Sequence, residues 1–255
     1  MEEKLGGELL TRGHGRVALT AAGQILEERA RHILRESETA EQVLSLAVRG
    51  EAGMLRVGFG IASLASGLPA VLVRFRSRYP HVHIAMRDMA TSAQIEALGR
   101  KEIDVGFVRL PVTRAGIASA PVLRERLVAA IPPHGHYSRT RGLASLCDEP
   151  FVVISRATSA SFYDHVLATC RAAGFVPRIV QEASEFFTVL NLVRGGIGAS
   201  LVPSSARLMR VPQVKLVETR LKEAAWPIGL AWNSEVPPPP LVRNFVRLVR
   251  ETYAS

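Results

Sequence analysis

Two pairs of closely spaced histidines are the first candidates for chemistry in this sequence. His81 and His83 stand in "HVH", and His134 and His136 stand in "HGH". On a strand, His81 and His83 would share one face, as two ligands of one metal ion would, but no third ligand is near in sequence. We therefore interpret all four as surface or half-buried histidines, and we expect neither a metal nor another cofactor.

A glycine-containing segment at 58–63, "GFGIAS", lies between a predicted strand and a predicted helix, as the phosphate-binding turn of a dinucleotide site does. However, Ser63 occupies the third glycine position, and no acidic residue follows about 20 residues later. Serine, histidine and aspartate all occur, but not in a nucleophile-elbow pattern. Cys147 and Cys170 lack zinc spacing and a disulfide framework, so we expect reduced structural thiols. Nothing in these motifs predicts an enzyme.

The elements that would position a site alternate between strand and helix after residue 53. "MLRVGFG" and "IDVGFV" predict strands, while "SGLPAVLVRFRSRYP" and "TSAQIEALGRKE" predict helices, which indicates βαβ units and a parallel sheet. A second unit of the same kind follows, and "PPPPLVRNFVRLVRETYAS" predicts a helix that returns to the first. We expect one lobe from 54–131 with 232–255, a second from 132–231, and a ligand-binding cleft between them.

Residues 20–48 predict one long helix with Thr20 as its N-cap. Apolar residues recur in steps of four and three, interrupted by the polar Ser37, which is typical of a coiled coil. The residues of this stripe are Leu26, Ala30, Ile33, Ala40, Leu44 and Ala47. So narrow a stripe favours pairing with a second copy of the chain, and packing on the chain's own core is the alternative. "RGEAG" at 49–53 predicts a hinge.

The composition of the 255 residues is that of an ordinary globular protein, with 47% hydrophobic residues and a net charge of +9. No apolar run approaches the ~20 residues that span a bilayer, and no apolar leader follows Met1, so we expect a cytoplasmic protein. Residues 1–53 hold seven basic and nine acidic residues, which leaves 25 basic and 14 acidic residues, a net charge of +11, for the remainder. A basic body is compatible with an anionic small ligand, although a solvated arginine-rich surface is the commoner explanation.

The first 23 residues, "MEEKLGGELLTRGHGRVALTAAG", resemble the segment that closes the DNA-binding domain of LysR-type transcriptional regulators, "LEEKLG..LF.R..R.V.LT.AG". The matching residues are Leu5, Gly6, Leu9, Arg12, Arg16, Leu19, Thr20, Ala22 and Gly23. Further matches are "LPAVLVRFRSRYPHVHIAM", "TSAQIEALGRKEIDVGFVR" and "GGIGASLVP". The resemblance implies an α/β fold: a long linker helix followed by a two-lobed effector-binding domain with the fold of periplasmic binding proteins.

The resemblance also implies a DNA-binding segment. The family begins with roughly forty more residues, which carry most of its helix-turn-helix, so residues 1–19 are expected to be the remnant of a winged helix-turn-helix. Its wing, at about 8–20, would bring Arg12, His14 and Arg16 to DNA phosphates, which position a protein without reading sequence. Because base readout normally needs an element in the major groove, we expect this chain to bind DNA weakly and without sequence preference.

Within the family, "DMATSAQIEAL" followed by "DVGFVR" most resembles the branch that senses aromatic-degradation intermediates such as benzoate or muconate. This resemblance places Ser63 and Thr91 at helix N-termini that would hold a carboxylate, with plain N-capping as the alternative for both. Arg109 and Arg126 would add charge-assisted bonds, and an ion pair within its own lobe is the alternative for Arg109. The second lobe would contribute Thr158, Ser159 and Phe162, from "SRATSASF".

The sequence therefore favours a transcriptional regulator that senses a small organic anion, an aromatic or dicarboxylic acid, as a homodimer or homotetramer. A cytoplasmic solute-binding module of the same fold, with no DNA role, is the alternative. The absence of an apolar leader and the coiled-coil stripe favour the regulator.

Overall fold

The computed structural model of this chain describes residues 1–13, 16–60 and 67–254, and at 12, 13, 16 and 254 it describes the backbone alone. The chain begins with a short helix, a two-stranded antiparallel hairpin and one long helix. These elements are α1 (Glu2–Leu5), β1 (Leu10–Gly13), β2 (Arg16–Leu19) and α2 (Ala21–Val48). Arg12 and Arg16 thus lie on the hairpin, but their side chains, and all of His14, are outside the described residues.

Thr20 joins the hairpin to the long helix. Its hydroxyl oxygen accepts a hydrogen bond from Gly23 N at 3.0 Å and donates one to Glu8 O at 2.8 Å, so the predicted N-cap is confirmed. Gly23 is required at this position because a Cβ there would lie 2.1 Å from Leu9 O. The hairpin is therefore held tightly against the start of α2.

The apolar stripe of α2 has no partner within the described part of the chain. Gly23 is the only residue of this helix that is buried, while the side chains of Ile33 and Leu44 are 66% and 65% exposed. Ala30 and Ala40 are exposed as well, and Leu26 is half-buried. The helix does not lie on the chain's own core, which was the alternative to pairing with a second copy.

The segment predicted as a hinge at 49–53 is a close-packed turn. The carbonyl oxygens of Arg49 and Gly50 accept hydrogen bonds from Asn244 Nδ2 at 3.0 and 3.1 Å. Gly50 has a φ of 70°, and a Cβ at this residue would lie 2.3 Å from Leu241 N. Glycine is therefore required both by the backbone conformation and by the close approach of the last helix.

Two α/β lobes follow this turn. The first lobe contains β3 (Ala52–Phe59), α3 (Leu68–Arg78), β4 (His81–Asp88), α4 (Thr91–Gly99) and β5 (Val105–Arg109). A long strand, β6 (Ile117–Ile131), leads to the second lobe. The second lobe contains β7 (Pro150–Ile154), α5 (Ala160–Ala172), β8 (Arg178–Ala183), α6 (Phe186–Arg194), β9 (Ser200–Pro203) and β10 (Lys215–Glu218). The chain returns through β11 (Ala225–Asn233) and ends in α7 (Pro240–Ala254).

The central sheet has the strand order β10-β6-β11-β5-β3-β4, with β9 also paired to β6. The pairs β3–β4 and β3–β5 are parallel, as predicted, but β11 runs antiparallel to both β5 and β6. The prediction of a parallel sheet therefore holds for the βαβ units and is wrong for the crossing strands. β6 leaves the first lobe and β11 returns to it, so the two strands must run in opposite directions where they pair.

The boundaries between the lobes fall inside these crossing strands. From Leu127 onward, β6 already packs into the core of the second lobe, whereas the predicted boundary was 131. On the return, Leu230 of β11 already packs into the core of the first lobe, ahead of the predicted boundary at 232. Each strand passes from one lobe to the other without a loop, and on the return Pro227 and Gly229 flank the crossing, where the register with β6 shifts.

The last helix returns to the first lobe, as predicted. Its buried residues are Val242, Phe245, Leu248 and Val249. The ring of Phe245 packs edge-on against Phe75 of α3, with 5.1 Å between ring centroids. Among the residues that the structure describes, no helix is long and apolar enough to cross a membrane.

Candidate functional site

A cleft of about 400 Å³ lies between the two lobes, within the size range of small-molecule sites. The first lobe lines it with the carboxyl ends of β4 and β5 and with the first residues of α4. The second lobe contributes residues around the N-termini of α5 and α6, and Trp226 lines it from β11. This is the edge of an α/β sheet at which ligands usually bind.

Thr91 is the first residue of α4, and its hydroxyl is fixed by the neighbouring strand. Its Oγ1 accepts a hydrogen bond from Arg109 N at 3.1 Å, so its own proton is free to be donated. Ala90 occupies the N-cap of this helix and makes no side-chain hydrogen bond to it. Plain N-capping is therefore not the role of Thr91, and the uncapped helix start offers backbone N–H groups to an anion.

Arg109 ends β5 and reaches across the cleft to the second lobe. Its Nη1 donates a hydrogen bond to Ser161 O at 2.9 Å, and its guanidinium carbon lies 4.4 Å from the ring centroid of Trp226 and 5.3 Å from that of Phe162. Burial lowers the pKa of Arg109 to about 10, so it remains a cation at neutral pH. No ion pair joins it to a carboxylate among the described residues. The alternative of an ion pair within its lobe is thus not what the structure contains.

Gln94 is a residue of the cleft that the sequence interpretation missed. Its side chain is 1% exposed, and Nε2 donates to Met89 O at 2.8 Å, while its Oε1 has no hydrogen-bond partner within the described part of the chain. The side chain lies over Gly58 and Gly106, and a Cβ at Gly106 would lie 2.7 Å from Oε1. Gln94 follows Thr91 by three residues, and this spacing is a sequence signal that both side chains face the cleft, because residues i and i+3 share a helix face.

Trp226 was missed as well, because nothing near it in sequence marks β11 as part of the cleft. Its side chain is 4% exposed and stacks under Arg109. His165 packs against the same indole, with 5.0 Å between ring centroids. Burial, and secondly the charge of Arg109, lower the pKa of His165. The Trp226 and His165 rings thus form an uncharged aromatic support for the guanidinium.

Two carboxylates, Asp88 and Glu185, line the cleft from opposite lobes. Asp88 ends β4, and Glu185 is the N-cap residue of α6 without a side-chain capping bond. The pKa of Asp88 is raised, first by burial and secondly by the charge of Glu185, while a hydrogen bond from the Met89 backbone lowers it. The cleft therefore contains a negative region in addition to its arginine.

Five of the seven ligand residues named from the sequence line the cleft: Thr91, Arg109, Thr158, Ser159 and Phe162. Ser63 lies outside the described residues. Arg126 does not line the cleft, because its side chain is exposed while that of the preceding Glu125 is buried and accepts a hydrogen bond from Ser204 Oγ. Alternate residues of a strand point to opposite faces, so the two cannot both point inward.

The histidines of "HVH" are exposed on β4, the edge strand of the central sheet. Within the described ranges no group of three histidine, cysteine or carboxylate side chains could hold a metal ion.

The family described as the LysR substrate binding domain matches residues 49–254. The uncharacterized HTH-type transcriptional regulator YnfL of Escherichia coli (strain K12) is 32% identical, over 96% of this chain and 84% of that protein. HTH-type transcriptional regulator TcbR of Pseudomonas sp. (strain P51) is 32% identical, over 99% of this chain and 86% of that protein.

Two solved structures are similar to this chain in both fold and sequence. The crystal structure of CbnR, a LysR family transcriptional regulator, has a TM-score of 0.82 and 30% identity, and the match covers 98% of this chain and 86% of that one. The BenM effector binding domain with its effector benzoate has a TM-score of 0.70 and 28% identity, over 79% of this chain and 92% of that one.

Proposed function

Because the chain belongs to the LysR family of transcriptional regulators, we propose that it controls transcription in response to a small organic carboxylate bound between its lobes. The relatives are transcriptional regulators, and their similarity to this chain extends over nearly its whole length, including the hairpin and α2. This supports the regulator over a solute-binding module without a DNA role, and over an enzyme.

The observation that carries the carboxylate proposal is the half-buried cation of Arg109, which has no ion-pair partner among the described residues. A charge that is removed from water without a counter-ion is costly, and an anionic ligand would relieve that cost. Thr91 Oγ1 lies next to this residue and can donate a hydrogen bond, and the uncapped start of α4 adds its N–H groups and the positive end of its dipole. These donors suit a carboxylate rather than a cation or an uncharged amide.

An aromatic or unsaturated carbon skeleton suits the rest of the cleft. Phe107, Phe162, Phe186, Phe187 and Trp226 all contribute to its walls. Phe162 packs edge-on against Phe186 and against Trp226, with ring centroids 4.9 and 6.2 Å apart. The solved relative bound to benzoate makes benzoate the natural first probe.

The remaining partners of the chain follow from α2 and the hairpin. We propose that the exposed stripe of α2 pairs with that of a second copy, giving a homodimer, or a homotetramer if the lobes also associate. Arg12, His14 and Arg16 would contact DNA phosphates from the hairpin. Phosphate contacts position a protein without reading the base sequence, so we expect the hairpin itself to contribute no sequence preference.

Replacing Thr91 with valine should weaken benzoate binding by ~1 kcal/mol or more, about fivefold in Kd, because valine keeps the shape and removes the hydroxyl donor. Isothermal titration calorimetry on the full chain measures this directly. Thr91→Ser keeps the hydroxyl and should stay near the parent, and Thr113→Val, at an exposed loop position, is the matched control. An unchanged affinity in Thr91→Val would show that this is not the carboxylate site.

A further inference from the structure

The cleft carries opposite charges at two places, and a simple carboxylate would satisfy only one of them. We infer that its ligand is zwitterionic: a small carboxylic acid that also carries an ammonium group, several bonds away from the carboxylate. This inference rests on the proposed function, because it takes Arg109 and Thr91 as the carboxylate site and adds a second recognition element.

The first support is the placement of Asp88 and Glu185. They come from different lobes and line the same cleft, and neither forms an ion pair with a lysine or arginine among the residues that the structure describes. They lie close enough for the charge of Glu185 to raise the pKa of Asp88. Two carboxylates that repel each other across a cleft are stabilised by a cation between them.

The second support is independent and concerns Gln94. Gln94 lines the cleft, and its buried Oε1, which lies over Gly106, is an uncharged acceptor without a partner in the described ranges, while Nε2 is already committed to Met89 O. A buried acceptor without a donor is unfavourable, so a ligand that brings an N–H donor to it would be favoured. A dicarboxylate has no such donor at neutral pH.

The sheet fixes the approximate distance between the two charged regions. Asp88 ends β4 and Arg109 ends β5, and β3 lies between these strands. Two strand spacings of about 4.8 Å, together with the two-residue offset of Arg109 beyond the level of Asp88, place the backbones of these residues about 12 Å apart. The two side chains can therefore bind opposite ends of a ligand whose carboxylate and ammonium are separated by one aromatic ring.

Three probes on one ring test this inference by calorimetry with the full chain: benzoate, 4-(aminomethyl)benzoate and benzene-1,4-dicarboxylate. They share the carboxylate and differ only in the para substituent, which is hydrogen, a cationic aminomethyl group or a second anion. We expect the aminomethyl acid to bind tightest and the diacid weakest, with at least about a tenfold difference in Kd between these two.

The double variant Asp88→Asn and Glu185→Gln removes both negative charges and nearly preserves side-chain volume. We expect it to lose affinity for the aminomethyl acid and gain affinity for the diacid, so that their Kd values come within about threefold of each other. Glu182→Gln, at an exposed position of β8 that does not line the cleft, is the control and should keep the parent's preference.

The outcomes separate this inference from the proposed function. If benzoate binds and Thr91→Val weakens it, but the diacid binds as well as the aminomethyl acid, the zwitterion inference is wrong and the carboxylate site stands. If the double variant still binds the aminomethyl acid more tightly than the diacid, the inference is also wrong, because the acidic pair would then not be the source of that preference. If none of the three probes binds, the proposed carboxylate site fails, and the inference fails with it.

Discussion

The variant Arg109→Met is expected to bind benzoate at least about thirtyfold more weakly than the parent chain, a loss of ~2 kcal/mol or more. Arg109 supplies the only positive charge that lines the cleft among the described residues, and none of the carboxylates described there forms an ion pair with it. A carboxylate ligand would make charge-assisted bonds with this guanidinium away from bulk water, where such bonds are strongest. Calorimetric Kd values for parent and variant measure the loss.

The same variant should remain folded, which separates a binding defect from a folding defect. Methionine loses the guanidinium that stacks on Trp226 and Phe162, but it keeps a long flexible side chain and removes a half-buried charge that has no ion-pair partner among the described residues. We therefore expect its thermal midpoint in the absence of ligand to equal or exceed that of the parent. Arg178→Met, at an exposed position at the start of β8, is the matched control. Benzoate binding that withstands Arg109→Met but not Arg178→Met would contradict the assignment.

Replacing Ile33 and Leu44 with aspartate is expected to separate the chains that α2 holds together. Both side chains are about two-thirds exposed in the single chain, and they lie on the same stripe of the helix. In a paired helix each aspartate would be buried in an apolar seam, at a cost of several kcal/mol. Analytical ultracentrifugation should show the assembly reduced by half, from dimer to monomer or from tetramer to dimer.

The control for this experiment places two aspartates on the opposite face of α2. Arg35 and Gln42 are exposed and lie about half a turn away from Ile33 and Leu44. Arg35→Asp with Gln42→Asp should therefore leave the assembly intact. The proposed pairing through the apolar stripe of α2 is wrong if the Ile33 and Leu44 double variant sediments as the same species as the parent.

Much of the fold could be predicted because local signals agree with one another. Thr20 caps α2 as its position before a run of good helix formers indicates, and the last segment forms the predicted helix that returns to the first lobe, with Phe245 and Val249 buried there. The βαβ units were equally clear, since strands and helices alternate there at short intervals. In these regions each element is defined within its own residues.

The rest depended on contacts between residues that are distant in sequence. Arg126 was placed in the cleft and is exposed, because the register of β6 is set by its pairing with β11 and turns Glu125 inward instead. Trp226 reaches the cleft only because β11 runs back alongside β5. The acidic pair of Asp88 and Glu185 joins residues of two lobes, and no local pattern brings them together.

The central claim is that the cleft between the lobes recognises the negative charge of a carboxylate. Calorimetric titration of the full chain with benzoate and with benzamide tests it most directly, because the two molecules have the same ring and nearly the same shape but differ in charge. We predict that benzoate binds with a Kd between about 1 μM and 1 mM and that benzamide binds at least about tenfold more weakly. Benzamide that binds as tightly as benzoate would contradict the claim.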